Sequence, residues 1–471
     1  MLRRVVAVRG VRRPARGGRT AGAVAHAIPA LLALGVLALG GRVAAQVPAV
    51  PPTEVPVPPA KVPVSPATAP QTVPKPPPST AAAGISRWFN PATAPFIPIP
   101  EVAADPDNGT TIGLIPTWLK TDEQHDIRQI IAPDIIHNPY FGYGVHGRIY
   151  DYPSTDEQWS LIGGIKQRVE RSIDGEYQTG RLRDRRWSVN LTALYDRDGT
   201  PRFYGTGNDS SANDQTNFTG EQEVLQAQVG LNLTQAWQLR YTLRLRAFDV
   251  LPGTLPRIPS IYTLFPAVRG LHTTKELLHR LAIVYDTRDD VTVPTRGMEW
   301  VAYGGLASRA GILNDSLYSE AGVDGRVFWP IARNSILAAH MALRYMPAAR
   351  DAPFWALSTL GGSESLIGGT QPLRGYGAGR FYDRNAFSAT VELRQRIGSI
   401  GIAATRLELE VAPFLDMGRV FSRLSLSPVS DLHKVIGVGF RGVARPFVVG
   451  YVDVGYGNEG AAVFSGIGYP F

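Results

Sequence analysis

Apolar and polar residues alternate along most of the chain after about residue 108. The clearest stretches are residues 140–150, 237–247, 387–397 and 406–416, in which apolar side chains recur at every second position. A period of two is typical of β-strands, because successive side chains point to opposite faces of a strand. With about 16 such segments, the pattern predicts an all-β fold.

Two architectures are compatible with these segments, a soluble β-sandwich and a transmembrane β-barrel. The segments run about 10–14 residues, longer than the usual 5–6 of globular sheets and long enough for tilted membrane strands. Their apolar faces often end in aromatic residues, and their polar faces carry charges of both signs, as lipid interfaces and a polar lumen require. Since a closed barrel leaves no unpaired edge in lipid, the sequence predicts a transmembrane antiparallel β-barrel.

The first 45 residues predict a secretory signal peptide. They contain eight arginines and no acidic residue, followed by an apolar run at 28–40 and the small residues Val43, Ala44 and Ala45. Cleavage is expected after Ala45. A membrane anchor is the alternative, but the run is shorter than the roughly 20 residues that a spanning helix needs. The chain has no cysteine, which excludes a lipoprotein signal and disulfide bonds.

A proline-rich segment, residues 46–84, separates the signal from the barrel predicted over residues 85–471. Thirteen prolines fall within residues 48–78. Proline lacks the backbone donor and fixes φ, so we expect a disordered or polyproline II spacer in the periplasm. It would act either as a passive tether or as a segment that binds a partner.

Charge gives no indication of a nucleic-acid partner. Outside the first 45 residues, 40 lysines and arginines balance 40 acidic residues. The remaining chain has no basic stripe and no known nucleic-acid-binding motif.

Several short motifs resemble chemical sites, but their context predicts structural roles. The pattern GxGxxG occurs at 142–147, 437–442 and 455–460, within alternating strands or at a turn rather than between a strand and a helix. Ser363 and Ser365 lie in a glycine-rich loop with no histidine nearby in sequence. The eight histidines have no metal-ligand spacing. We therefore expect no cofactor and no metal.

Three acidic residues on predicted lumen faces, Glu392, Glu408 and Glu410, could in principle form a catalytic pair. Charges that line water are the simpler interpretation. An outer-membrane enzyme such as a lipid hydrolase is a third functional hypothesis, and no catalytic constellation supports it. We therefore expect no enzymatic activity.

A long insert interrupts the alternating pattern between Tyr345 and Ala386. It ends in LRGYGAGRFYDRN, residues 373–385. Connections of this length inside a compact domain are usually functional. The tetrapeptide LRGY, made of Leu373, Arg374, Gly375 and Tyr376, resembles the [V/L]RG[F/Y] motif of the bacterial surface antigen superfamily. This superfamily includes the BamA and TamA barrel-assembly proteins and the two-partner secretion transporters.

Three other stretches carry the same resemblance, in the order found in that family. FYGTGNDS at 203–210 is similar to its aromatic-Tyr-Gly-x-Gly-Asn motif. DTRDDVTVPTRG at 286–297 is similar to its Asp-x-Arg-Asp strand–turn element, and FLDMGRVF at 414–421 is similar to its F-x-D-x-G wall motif. Together they cover most of residues 110–471.

The resemblance implies a barrel of 16 strands with a long extracellular loop between the eleventh and twelfth. In the family this loop folds back into the lumen, where its arginine meets an acidic residue of the wall. Here that pair would be Arg374 and Asp416, with Gly418 at the matching wall position. Gly375 would let the backbone turn sharply, and Tyr376 would pack its ring against the wall.

The last residues, AVFSGIGYPF, place Ile467, Tyr469 and Phe471 on one face of a predicted terminal strand. This ending resembles the C-terminal signature of bacterial outer-membrane proteins. In that class the signature closes the barrel and is recognised by the barrel-assembly machinery during insertion.

The resemblance implies an outer-membrane protein in contact with lipid that assists protein insertion or translocation, with client proteins or a periplasmic partner. Family members with this activity usually carry POTRA domains before the barrel. Residues 46–108 are too short and too rich in proline to form one, so we expect a POTRA-less member. A passive or substrate-specific channel that retains the family fold is the alternative.

Overall fold

The computed structural model describes residues 96–471, apart from 106–108, 123–126, 309–315, 403–404, 424–428, 445–447 and 468. The chain divides into two units, Met1–Pro76 and Pro77–Phe471, and all described residues belong to the second. The predicted signal peptide and proline-rich segment lie outside the described residues.

The described part of the chain is built almost entirely from β-strands. Its only α-helix is the single turn Ile261–Leu264, and two 3₁₀ turns cover Ala212–Asp214 and Phe354–Ala356. The strands are β1 (Phe96–Asp105), β2 (Gly109–Thr121), β3 (Ile127–Ile131), β4 (Asp134–Asn138), β5 (Gly142–Asp151), β6 (Glu157–Lys166), β7 (Arg171–Thr179), β8 (Trp187–Asp198), β9 (Arg202–Phe203), β10 (Thr216–Asn232), β11 (Trp237–Pro252), β12 (Thr274–Asp286), β13 (Gly297–Ala307), β14 (Leu317–Ala332), β15 (Ser335–Asp351), β16 (Ser358–Leu360), β17 (Thr370–Gln371), β18 (Phe381–Asp383), β19 (Asn385–Ile402), β20 (Thr405–Phe421), β21 (His433–Ala444), β22 (Val448–Gly457) and β23 (Gly460–Ile467).

The long strands form one antiparallel sheet in which each strand pairs with its neighbours in the chain. β3 and β4 are two halves of one strand, because both pair with β2 on one side and β5 on the other. β9 is a two-residue extension beside β10, and β16–β18 form a small separate sheet. Eighteen strands therefore make up the described wall, which confirms the predicted fold class with more strands than the expected 16.

The difference in number has a sequence cause at the start of the wall. β1 begins at Phe96, before the first clear alternation, and carries Pro98 and Pro100. Prolines weaken the strand signal, since they lack the backbone donor and are uncommon within sheets. β1 accounts for one of the two additional strands. The insert follows the thirteenth strand of the wall rather than the eleventh, and five strands follow it.

The wall closes where β1 meets β23. The register of this pair consists of one position in the described residues, Ala104 opposite Val463. By comparison, β1 pairs with β2 over its full length and β22 pairs with β23 throughout β23. Among the described residues, the closing contact is therefore the shortest pairing between neighbouring strands of the wall.

The two faces of the wall differ as expected for a membrane barrel. On β11, the side chains of Trp237, Leu239 and Tyr241 are exposed on the outside, whereas Gln238 and Thr242 are buried in the lumen. An apolar exterior with a polar interior is the pattern of transmembrane barrels. Within the described residues, no helix has the length and apolar character needed to cross a bilayer.

The two rims of the barrel can be told apart by turn length and tryptophans. One rim carries short turns, such as those between β10 and β11 and between β14 and β15, while the other carries the insert. The exposed tryptophans Trp159, Trp187, Trp237 and Trp329 all lie at the rim with the short turns. Short turns are typical of the periplasmic side of outer-membrane barrels, and aromatic belts are typical of the membrane interface. We therefore assign this rim to the periplasm.

Candidate functional site

The insert, residues 352–384 between β15 and β19, folds inward and packs against the wall of the barrel. Leu373, Arg374 and Tyr376 of its motif are all almost completely buried. The small sheet β16–β18 gives the insert a fixed shape of its own. This confirms the predicted inward-folding loop.

Arg374 lies within hydrogen-bond distance of three carboxylates of the wall. Its Nε and Nη2 donate to the Oδ2 and Oδ1 atoms of Asp416 at 2.9 and 2.8 Å, and its backbone N–H donates to Asp416 Oδ2 at 3.0 Å. Its Nη1 donates to Asp453 Oδ2 at 2.7 Å and to Glu392 Oε2 at 3.1 Å. The predicted pair of Arg374 and Asp416 is thus in direct contact, and β19 and β22 supply two further acids.

Two further arginines of the wall contact the same acids. Arg394 Nε donates to Glu392 Oε1 at 2.9 Å, and Arg441 Nη2 donates to Glu392 Oε2 at 2.8 Å. Arg441 also lies 3.4 Å from Asp453. None of the side chains in this group is exposed to solvent. We call it the Arg374 cluster: Arg374, Arg394, Arg441, Glu392, Asp416 and Asp453.

The charges of the Arg374 cluster balance, three positive against three negative. Moving an ion from water into a protein interior costs several kcal/mol. Attraction between opposite charges offsets this cost only when their geometry is good and their remaining polar atoms are hydrogen-bonded. Thr390 adds one such bond, donating from Oγ1 to Asp416 Oδ1 at 3.0 Å. Because every acid depends on a neighbouring arginine, removal of one member leaves a buried charge without compensation.

The chemistry of Arg374 requires a guanidinium rather than an ammonium group. Its planar fork meets Asp416 at two points while Nη1 contacts two other acids, and its Cζ lies 3.4 Å from the centre of the Phe414 ring. Burial alone would lower the pKa of Arg374, but Asp416, with Glu392 and Asp453, raises this pKa well above its ordinary value. Arg374 therefore stays charged at any physiological pH.

Glycines of the wall and of the insert allow the two backbones to approach closely. A Cβ on Gly455 would lie 2.1 Å from the carbonyl oxygen of Arg374, and a Cβ on Gly375 would lie 2.6 Å from the backbone nitrogen of Gly457. The backbone does turn sharply at Gly375, since the N–H of Tyr376 donates to the carbonyl oxygen of Leu373 at 3.0 Å, although φ of Gly375 is not positive. Close approach is a second reason for this glycine, and it also explains two glycines of the third GxGxxG stretch.

The wall motif also provides space for the insert. A Cβ on Gly418 would lie 3.1 Å from Leu360 Cδ1 of the insert and 2.9 Å from a backbone oxygen of β19. Leu360 and Leu373 are fully buried in an apolar cluster that includes Phe414 and Val435 of the wall. Gly418 thus permits apolar packing beside the ion pairs.

Tyr376 packs against the wall. Its ring contacts Phe381 and His433 edge-on, at centroid distances of 5.3 and 5.7 Å. Its hydroxyl oxygen accepts a hydrogen bond from the backbone N–H of Asn458 at 3.3 Å. The ring therefore fixes the insert near the extracellular ends of β21 and β22.

The FYGTGNDS motif forms a loop that contacts the same end of the insert. Arg380 of the insert donates to the carboxylate of Glu459 at 2.9 Å and to the backbone oxygen of Ser210 at 2.8 Å. Its guanidinium lies 4.2 Å from the centre of the Tyr204 ring. Asn208 accepts a hydrogen bond from the backbone N–H of Val420, at the end of β20. Three of the four family motifs therefore meet around the insert.

The fourth motif, residues 286–297, lies at the opposite rim in the turn between β12 and β13. Asp286 accepts hydrogen bonds from Arg288 at 3.0 and 2.9 Å and from Arg183 at 3.1 Å. These contacts join the turn to the β7–β8 turn. The structure does not bring this motif to the Arg374 cluster.

The end of the chain leaves the wall and enters the lumen. β23 ends at Ile467, so our prediction of a terminal strand that carries Tyr469 and Phe471 on one face was wrong. The Tyr469 ring lies 3.8 Å from Arg394 Cζ, and Phe471 stacks on His340 at 5.3 Å. A cation without enough acceptors attracts aromatic faces, and both Nη atoms of Arg394 lack a hydrogen-bond partner. The role of this ending as an assembly signature stays a prediction.

Sequence analysis missed Arg441 and Asp453 as members of the cluster, and it assigned Glu392 to water. Arg441 and Asp453 lie in glycine-rich stretches of β21 and β22. Their lumen position follows from the register of neighbouring strands, which a single strand pattern does not reveal. The available signal was the excess of charged residues at alternate positions of consecutive strands.

The two serines of the glycine-rich loop do not form a catalytic triad. Ser363 contacts the hydroxyl of Tyr451 at 3.2 Å. Ser365 lies 3.5 Å from His340 Nε2, but Asp324 approaches the same nitrogen, at 3.1 Å. A triad needs the serine and the acid on different ring nitrogens. The described residues also contain no group of acidic or histidine side chains that could hold a metal ion.

The fold and the site define a transmembrane β-barrel whose lumen holds an inward-folded insert fixed by buried ion pairs. The family model of the Omp85 superfamily domain matches residues 159–439. The chain therefore belongs to the Omp85 superfamily and is an outer-membrane protein, which confirms the resemblance seen in its motifs. No curated protein matches the sequence.

Solved structures similar to this chain have low sequence identity to it. BamA from Haemophilus ducreyi lacking POTRA domains 1–3 is 11% identical with a TM-score of 0.46, covering 82% of this chain and 78% of that one. CdiB from Escherichia coli is 12% identical with a TM-score of 0.47, covering 79% of this chain and 66% of that one.

Arg374→Ala and Asp416→Ala should each destabilise the barrel by about 3–5 kcal/mol, because each leaves buried charges without compensation. We expect the temperature at which the compact band is lost in SDS gels to fall, and the insert to become sensitive to protease. The double variant restores charge balance, so its loss should be smaller than the sum of the single losses.

Arg384→Ala is the matched control, since Arg384 is an exposed arginine of the same insert. It should leave both measurements unchanged. Unfolding temperature and protease protection equal to wild type in both single variants would show that the Arg374 cluster does not hold the insert.

Gly455→Ala should displace the insert, because the added Cβ would lie 2.1 Å from the Arg374 carbonyl oxygen. Gly450→Ala on the same strand is its control, since a Cβ there meets nothing within 4 Å. We expect protease cleavage within the insert for the first variant only. Equal protection of both variants would contradict the close approach.

Proposed function

We propose that this barrel assists the insertion of proteins into the outer membrane or their translocation across it. The observation that supports this role is the single-position pairing of β1 and β23. A protein that hands a strand or a chain into the bilayer needs a place where its wall can open, and short edge pairing is the weakest place in a β-sheet.

The Arg374 cluster supports the same proposal from inside the lumen. Its members on the wall are spread over consecutive strands. Glu392, Arg394 and Asp416 lie on β19 and β20. Arg441 and Asp453 lie on β21 and β22, which precede the closing strand β23. We propose that the insert is a latch that sets the arrangement of these last strands. In this role the lumen stays occupied while the seam between β1 and β23 opens.

A passive or substrate-specific channel is less compatible with these contacts. It requires an open path, whereas the insert is tied to the wall on several sides. Arg280 donates to the backbone oxygen of Ile367 at 3.0 Å, and Arg344 donates to that of Ala356 at 3.0 Å. We expect the partners to be client proteins, with or without a periplasmic protein that delivers them, and we expect no catalytic activity.

Depletion of this protein should lower the amounts of other barrel or surface proteins in the outer membrane. Quantitative proteomics of the outer-membrane fraction measures this effect, with inner-membrane proteins as the internal control. If the outer-membrane proteome stays constant, the insertion and translocation proposal is wrong, and solute uptake through the barrel becomes the next test.

A disulfide across the seam should block the function, because β1 and β23 could no longer separate. Cysteines at Ala104 and Val463 face each other in the register, and the chain has no cysteine of its own. Directly opposed residues lie close enough for a disulfide. We expect the oxidised variant to reproduce the depletion phenotype and a reductant to reverse it.

Cysteines at Ala227 and Leu243 provide the control, since β10 and β11 are paired over nearly their whole length. That disulfide should leave the outer-membrane proteome unchanged. Full activity of the oxidised seam variant would show that the barrel does not work by opening between β1 and β23, even if depletion confirms the broader function.

A further inference from the structure

A group of arginines lies at the periplasmic end of the lumen, far from the insert in the fold. Arg181 lies in the turn between β7 and β8, Arg240 near the start of β11, and Arg288 in the turn between β12 and β13. With Arg183 they line a recess of about 230 Å³. We call it the periplasmic recess.

Within the described part of the chain, carboxylates contact two of the four lining arginines, Arg183 and Arg288. Asp286 is shared between Arg183 at 3.1 Å and Arg288 at 2.9 Å. Glu299 lies 3.2 Å from Arg288, and it also faces Arg326 of β14 at 3.7 Å. The four arginines that line the recess thus have two carboxylates between them.

Arg181 and Arg240 hydrogen-bond to neutral side chains rather than to carboxylates. Arg181 donates to the hydroxyl of Thr292 at 3.3 Å, and Arg240 Nε donates to the side-chain oxygen of Gln238 at 2.9 Å. Both partners are neutral, and within the described residues neither guanidinium pairs with a carboxylate. Their remaining N–H groups can therefore bind an anion.

The positions of the turn arginines are fixed by the backbone. Asp156 accepts hydrogen bonds from the N–H groups of Gly180 and Leu182, at 3.2 and 2.9 Å. Arg183 has a φ of +59°, a left-handed conformation that is unfavourable for a residue with a side chain. Because the turn is already ordered, its arginines would lose little conformational entropy when a ligand binds in the recess.

The neutral lining of the periplasmic recess includes the amide groups of Gln178, Asn190, Gln228 and Gln238. Gln178 and Asn190 each use one N–H group on Glu176, and Gln238 donates to Asn232 and Ser188. A water molecule occupies about 30 Å³ of liquid, so the recess has room for a phosphate-sized group with bound water. It adjoins a wider cleft of about 720 Å³, which shares the arginines of both turns and is also lined by Asp184, Asp286, Asp289 and Asp290.

We propose that the periplasmic recess binds a phosphate-type oxyanion. Guanidinium groups bind phosphate through paired N–H donors, and those of Arg181 and Arg240 are not engaged with a carboxylate in the described residues. The phosphate could be free in the periplasm or belong to a phospholipid headgroup. Both sources offer the same oxygen acceptors to Arg181 and Arg240.

The test uses the purified full-length protein in detergent micelles and isothermal titration calorimetry. The two probes are inorganic phosphate and dihexanoyl phosphatidic acid, a soluble short-chain phospholipid. We expect saturable binding of phosphate, and Arg181→Gln or Arg240→Gln should weaken it by about tenfold or more, the effect of losing one charged hydrogen bond. Tighter binding of phosphatidic acid would identify a lipid headgroup as the ligand, and equal binding would identify free phosphate.

Arg185→Gln is the matched control, because Arg185 lies in the same turn with its side chain 73% exposed and 3.8 Å from Asp156. It should bind both probes as the wild type does. The SDS gel shift shows whether each variant is folded. Absence of saturable binding to the wild type, or equal losses in Arg185→Gln and the folded Arg240→Gln variant, would overturn the proposal.

Discussion

A guanidinium with no access to water is stable only where carboxylates replace its hydration, and this requirement decides where the insert lies. Arg374 satisfies it with acids from β19, β20 and β22. Each acid reaches the lumen because of the register of its own strand, and a shift by one residue would turn it outward to lipid. The insert can therefore occupy its place only when several strands of the wall are correctly paired.

The same interaction connects the insert to the end of the chain. Glu392 accepts hydrogen bonds from Arg374, Arg394 and Arg441. Arg394 in turn faces the ring of Tyr469, after β23 has ended. One carboxylate thus lies between the motif of the insert and the C-terminal residues. A buried carboxylate has a high desolvation cost unless basic groups surround it. Its burial therefore favours the one arrangement of strands and insert in which all of its hydrogen bonds are made.

Sequence analysis predicted the class of fold and the pair at the centre of the site for different physical reasons. Alternation revealed the strands because lipid and lumen impose opposite polarities on successive side chains. Arg374 and Asp416 were identified by motif resemblance, since they lie 42 positions apart in sequence and no local pattern connects them. Arg441 and Asp453 were missed because only the pairing of β21 with β22 brings them together.

Two errors at the ends of the barrel have a common cause. Pro98 and Pro100 weakened the strand pattern of β1, so it was not predicted. The C-terminal aromatic residues alternate as they would in a strand, but they lie against Arg394 and His340. Local patterns are least informative where a strand has only one well-formed neighbour, because pairing does not enforce regular alternation there.

The strand with the short pairing to β23 also contains two prolines. Backbone N–H groups two residues apart on a strand point to the same side, so Pro98 and Pro100 remove two donors from one edge of β1. Strands that lack donors are tolerated mainly at the edges of sheets. In the mechanism that we propose, the short pairing of β1 with β23 is where the wall would open, and the buried charges of the Arg374 cluster would hold the strands that precede it.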